Sequence, residues 1–131
     1  MNRSKDWFEQ AKADLQHARN SIKDDDYAWA CFAAQQSAEK AVKSLYMKKN
    51  AIAWGHSVFE LLENLSEDIK PDKVLMEKGK ILDKYYIPTR YPNTHPSGPA
   101  YKYYTKEEAD QAITICEEVI NFCVSKGISD K

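Results

Sequence analysis

Arg90 and His95 stand four residues apart, with Tyr91-Pro92-Asn93-Thr94 between them. An arginine presents a permanently charged planar fork that can meet two phosphate oxygens, and a histidine can take or give a proton near neutral pH. Metal-free cleavage of RNA needs a group to remove the proton of a ribose 2′-hydroxyl and a cation for the charge growing on the phosphate. His95 and Arg90 are candidates for those two roles. A third requirement, a surface on which an unstacked base can lie, has candidates in Tyr91, Tyr101, Tyr103 and Tyr104. The spacing by itself is a weak signal, because an arginine and a histidine at this separation arise by chance in many chains.

The surrounding composition strengthens it. From Lys84 to Lys106 there is no acidic residue, yet the segment holds Arg90, His95, Lys102, six tyrosines and four of the five prolines. The whole chain has a formal charge of -1, so everything outside this segment is net acidic. A local cation cluster interleaved with aromatic rings fits a nucleotide or a nucleic acid better than a simple phosphate. The competing reading is structural: the tyrosines cover an open end of the fold with their hydroxyls wet, and Arg90 pairs with Asp83 or another carboxylate.

The elements that must hold this segment are helices. Trp7, Ala11, Leu15, Ala18 and Ile22 recur at steps of four and three, which predicts a helix over residues 4–23. Asp24-Asp25-Asp26 should end it and cap the next helix, a better use for the triplet than metal binding. That second helix, about 27–49, places Cys31, Ala34, Ala38, Ala41 and Leu45 on one face. Small side chains allow close approach of backbones, so it should be the central helix, with Trp29 and Phe32 filling space beside it. Gln35 and Gln36 read as polar positions on this helix. A short helix over about 57–65 buries Val58, Leu61, Leu62 and Leu65. His56 stands at its entrance, either helping to cap or pack that helix start or serving the phosphate site.

Pro71 should sit in the first turn of a fourth helix running to about Tyr85. Thr105 and Glu108 form a capping box for the last helix, which ends near Lys126-Gly127. No strand pattern, repeat of fixed period or glycine-rich phosphate loop is present. The expected fold is all-α, an up-and-down bundle of four to five helices formed by one domain over 1–131.

At 131 residues, 43% apolar and 30% charged, the chain can bury a core without staples. No apolar run approaches the length of a membrane span, and the first residues do not read as a secretory signal, which points to a cytoplasmic protein. The three cysteines include no C-x-x-C pair and have no histidine at ligand spacing, so they are expected as reduced core residues. Neither a metal nor a cofactor is expected.

The chain also resembles the HEPN-domain family over nearly its full length. The resemblance rests on Asp6-Trp7-Phe8 with Ala11 and Asp14-Leu15, and on Cys31-Phe32-Ala33-Ala34-Gln35-Gln36-Ser37-Ala38-Glu39-Lys40-Ala41. It continues through Gly55-His56-Ser57, Tyr85-Tyr86-Ile87-Pro88-Thr89-Arg90-Tyr91-Pro92 and Tyr104-Thr105. It implies a small helical bundle, commonly a homodimer. Many members are metal-independent ribonucleases acting as toxins, with an arginine and a histidine four to six residues apart, a motif that maps onto Arg90 and His95. Others partner a small nucleotidyltransferase or bind nucleotides without cleavage.

Two features depart from the ribonuclease pattern: Tyr91 follows the arginine where a polar residue is usual, and Pro92 and Pro96 disfavour a helix through the motif. The leading expectation is therefore a homodimeric protein that binds nucleotide or single-stranded RNA and works with a minimal nucleotidyltransferase. Arg90 and His95 would be its catalytic candidates, and Tyr91, Tyr101, Lys102, Tyr103, Tyr104 and His56 its binding candidates. The alternatives are an active endoribonuclease toxin and a structural bundle that only holds a partner.

Overall fold

The computed structural model describes residues 2–130. Five helices follow one another: α1 Ser4–Lys23, α2 Tyr27–Lys48, α3 Val58–Glu63, α4 Lys73–Asp83 and α5 Lys106–Ser125. Among the described residues there is no strand, and no helix is long and apolar enough to cross a membrane.

Helix α1 buries Phe8, Ala11, Leu15 and Ala18. The stripe is thus turned slightly from the expected one, with Phe8 buried in place of Trp7, which is only half-buried. Asp26 caps α2 by accepting from the Trp29 backbone N–H at 3.3 Å. Asp25 makes the tight reversal before it in a left-handed conformation, φ 56°, which short polar residues tolerate better than most.

Helix α2 is central, as its small residues predict, and packs on α1, α3, α4 and α5. Ala34, Ala38 and Ala41 are wholly buried, and Ser37 Oγ donates across to the Ala11 carbonyl at 2.5 Å, so α1 and α2 lie close together. Leu45, Leu62, Leu82 and Val119 complete the core, each contributing about 2 kcal/mol relative to an exposed position. Trp29 does not fill interior space; it is 46% exposed, edge-on to Phe32 at 5.5 Å. It lies near the start of α2, where the face beside Phe32 is left open.

Helix α3 is shorter than expected, because Ser57 is its cap and not its first residue: the Ser57 hydroxyl accepts from Glu60 N–H at 3.0 Å. Helix α4 likewise begins after Asp72, whose carboxylate accepts from Leu75 N–H at 2.9 Å. Pro71 therefore precedes the cap and lies outside the first turn. The two helices touch at Gly79, where any side-chain carbon would stand 3.0 Å from Phe59 N. The capping box of α5 forms as expected, with Thr105 and Glu108 satisfying each other's backbone N–H groups. Between α4 and α5 the proline-rich segment contains only two 3₁₀ turns, Pro92–Thr94 and Ala100–Tyr103, as its prolines dictate.

Candidate functional site

Arg90 is half-buried and its fork turns back on its own chain. Nε and Nη2 donate to the Tyr86 carbonyl at 3.1 and 2.7 Å. The guanidinium carbon lies 4.4 Å from the Phe32 ring centre, 5.2 Å from Tyr86 and 5.3 Å from Tyr91. Three aromatic faces thus hold the cation by electrostatic attraction to their π-systems. No carboxylate pairs with it among the described residues. Asp83, the partner considered from the sequence, is used elsewhere: it accepts from Ser57 Oγ at 2.6 Å, Val58 N–H at 2.6 Å and Phe59 N–H at 3.3 Å. Arg90 keeps donors to offer, since a guanidinium has five N–H groups and two are used.

His95 belongs to a different cluster. Its Nε2 lies 2.8 Å from the Pro88 carbonyl and 3.3 Å from the Tyr104 hydroxyl. A carbonyl oxygen only accepts, so Nε2 carries the hydrogen and Nδ1 is left as the acceptor of the neutral ring. The ring stacks on Tyr103 at 4.4 Å and meets Tyr104 edge-on at 5.6 Å. Tyr103 is itself fastened, its hydroxyl donating to the Ser97 carbonyl and accepting from Ser97 N–H at 3.1 Å. Burial foremost, with Cys31 and Glu108 nearby, pushes the Tyr104 phenol up to about 12.

The sequence-derived residues therefore fall into two groups. Arg90 and Tyr91 share one aromatic surface with Phe32 and Tyr86, while His95, Tyr103 and Tyr104 form another. Arg90 and His95 share neither a hydrogen bond nor a ring. Tyr101 is 63% exposed and Lys102 is exposed on the same turn. His56 falls with the first group, stacked on Tyr86 at 4.7 Å and 18°.

The arginine surface includes residues that the loop-centred reading passed over. Phe32 stacks on Tyr86 at 6.5 Å, and Trp29 abuts Phe32, so helix α2 supplies half of the aromatic face. Glu39 and wholly buried Gln35 lie further along the same helix. The signal was present in the spacing: Trp29, Phe32, Gln36, Glu39 and Lys43 recur at steps of three and four and so share one side of α2. The cysteines take no part. Burial raises the Cys31 and Cys116 thiols to about 12 and Cys123 further, which keeps them as unreactive thiols. Asp26 caps α2 and Asp25 accepts from the Tyr27 hydroxyl at 3.0 Å; among the described residues no acidic, histidine and cysteine side chains gather into a metal-binding group.

The architecture defines a class, a five-helix bundle with a proline-rich cationic and aromatic segment before its last helix. The model of the HEPN domain matches residues 4–127; the chain belongs to the HEPN domain family. The crystal structure of TT1696 from Thermus thermophilus is 51% identical, with TM-score 0.93, covering 96% of this chain and 99% of that one. That of ST0689, an archaeal HEPN homologue, is 37% identical with TM-score 0.81, covering 95% and 98% of the two chains. A HEPN domain protein of Thermotoga maritima, TM0613, is 37% identical with TM-score 0.74, covering 91% and 94%. Among curated proteins, "Putative toxin MJ1304" of Methanocaldococcus jannaschii is 27% identical over 124 residues, 87% of this chain and 81% of that protein.

Proposed function

We propose that this HEPN protein is of the toxin type and binds a nucleotide or single-stranded RNA through the segment between α4 and α5, acting as a homodimer with a small nucleotidyltransferase as partner. One observation carries the reading: Arg90 is a half-buried cation that no carboxylate neutralises, held against three aromatic rings. Such an arginine is pre-organised for phosphate, because its fork is already oriented and its charge uncompensated. The toxin character rests on family membership and on the similarity to the Methanocaldococcus protein. Exposed Tyr91 and Tyr101 supply aromatic surface of the kind that binds bases or partner proteins.

A second reading, metal-independent cleavage with Arg90 as phosphate clamp and His95 as general base, is favoured by one feature of His95. Its ring is fixed by Pro88 and Tyr103, and its Nδ1 has no hydrogen-bond partner among the described residues. The two readings separate when the protein is incubated with labelled single-stranded RNA in excess EDTA, as wild type and as His95→Ala. Binding without cleavage in both proteins supports the first. Cleavage to cyclic phosphate ends that His95→Ala abolishes supports the second. A wild-type protein that neither binds nor cleaves RNA or nucleotide refutes both.

A further inference from the structure

Glu39 is a carboxylate sealed into the surface of α2, its side chain 5% exposed. It is surrounded by donors: Gln35 Nε2 at 3.1 Å, Lys43 Nζ at 3.0 Å and His56 Nδ1 at 3.1 Å. A carboxylate can only accept, so His56 Nδ1 carries a hydrogen and the outward nitrogen is Nε2. That nitrogen has no hydrogen-bond partner among the described residues, and the His56 side chain is 56% exposed. The ring is held on its flat side as well, stacked on Tyr86 at 4.7 Å. A histidine fixed at one nitrogen by a buried carboxylate and open at the other is an oriented polar group.

His56 packs beside the start of α3, its ring on Tyr86 and its carbonyl accepting from Gln35 Nε2 at 3.1 Å, but it does not cap that helix. The Ser57 hydroxyl and the Asp83 carboxylate already take the first backbone N–H groups of that helix. The ring it stacks on is also the ring that Arg90 lies against, 5.2 Å from its centre. Tyr86 therefore joins an unpaired arginine to an oriented histidine. The nearby carboxylates are both engaged, Glu39 by Lys43 and Asp83 by the backbone of α3.

We infer that His56, aimed by Glu39, is the second phosphate-contacting group of the nucleotide site, working with Arg90 across Tyr86; a bare Nε2 cannot donate to a phosphate oxygen, so the ring makes this contact as the imidazolium, taking one proton onto Nε2 when the anion binds, with Glu39 against its Nδ1–H. The inference rests on the nucleotide-binding reading above and deepens it by extending the site from Arg90 in the segment between α4 and α5 to the face where Glu39 of α2 holds His56. Its ligand is a nucleotide unit with at least one phosphate, supplied by a free nucleotide or by single-stranded RNA.

The test is fluorescence anisotropy with two probes, a labelled single-stranded RNA and a fluorescent adenine nucleotide, on wild type, His56→Phe, Glu39→Gln and His17→Ala. His56→Phe keeps a ring on Tyr86 and removes only the nitrogens, and thermal melting checks that each variant is folded. For whichever probe wild type binds, His56→Phe should weaken binding about tenfold, as expected for one charge-assisted hydrogen bond. His17→Ala, which alters an exposed imidazole of α1, should leave binding unchanged. Glu39→Gln should give a smaller loss, and the nitrogen-15 signals of His56 should show Nδ1 protonated in free wild type with Nε2 gaining its proton when the probe nucleotide is added, against a tautomer mixture in free Glu39→Gln. If wild type binds and His56→Phe binds equally well, the inference falls while nucleotide binding stands. If wild type binds neither probe, the underlying reading falls and this one with it.

Discussion

Replacing Gly79 by alanine sets two effects of opposite sign against each other. Gly79 lies inside α4, where alanine is the better helix former by about 1 kcal/mol. Its new methyl would, however, stand 3.0 Å from Phe59 N, 3.1 Å from Phe59 Cα and 3.4 Å from the Val58 carbonyl carbon. These are backbone atoms and cannot rotate aside, so α3 must move away from α4 by several tenths of an ångström. One turn further along α4, Asp83 holds the first residues of α3 through bonds of 2.6 Å from Ser57 Oγ and Val58 N. Moving α3 lengthens them. Overpacking of this kind costs about 1–3 kcal/mol, and loosening a charged hydrogen bond adds about 1 kcal/mol. After the propensity gain the net expectation is about 1–3 kcal/mol of destabilisation, or a melting temperature lower by about 4–11 °C for a chain of this size. Thermal and urea denaturation of Gly79→Ala against wild type measure it. A variant that melts at the same or a higher temperature would show that α3 yields freely, and would refute the argument that α3 is rigidly seated on α4.

Two further predictions concern the same framework. Asp83→Ala removes the acceptor of one hydroxyl and two N–H groups at the start of α3 and should cost about 2–3 kcal/mol, with Asp83→Asn recovering part; equal urea midpoints for all three proteins would contradict it. Tyr104 titrates only at about 12 in the folded chain, against 10.0 for an ordinary phenol. Because the folded value is raised, its contribution to stability is complete below pH 10 and is lost as pH climbs from about 10 through about 12. Unfolding curves across that window should show a fall that Tyr104→Phe reduces.

The helices were legible because their causes are local. Apolar residues at steps of three and four, Thr105 with Glu108, and the Asp26 cap are all decided within a few positions of sequence. The misjudged details were also local but more subtle. Pro71 is as compatible with the position before a cap as with a first turn, and only the Asp72 carboxylate bonding Leu75 N–H settles which. Phe8 and Trp7 are adjacent aromatic residues, so the pattern left the phase of α1 ambiguous by one position. The site was legible only in part, since proximity in sequence gave a poor guide to it. Arg90 and His95 lie on one short segment, yet the chain turns between them, and each side chain is captured by the backbone carbonyl nearest to it, of Tyr86 and Pro88 respectively.

That division bears on what the segment does. A prolyl loop cannot by itself hold a cation in one orientation, because it has few backbone bonds to anchor it. Arg90 is instead anchored by Phe32 of α2 and by Tyr86 just beyond α4, and both rings lean on the bundle. His56 is anchored by Glu39 of the same α2 and by the same Tyr86. The rigid element common to both groups is thus the central helix, the most buried one in the fold. His95, by contrast, is anchored within the loop, to Pro88, Tyr103 and Tyr104. A site that must meet phosphates at fixed positions is better built on the helix than on the loop. On the proposed nucleotide-binding reading, Phe32→Ala should therefore release Arg90 and weaken the anisotropy response of the fluorescent nucleotide while the His95 nitrogen-15 signals stay in place, whereas Tyr103→Ala should shift those His95 signals and leave the response unchanged.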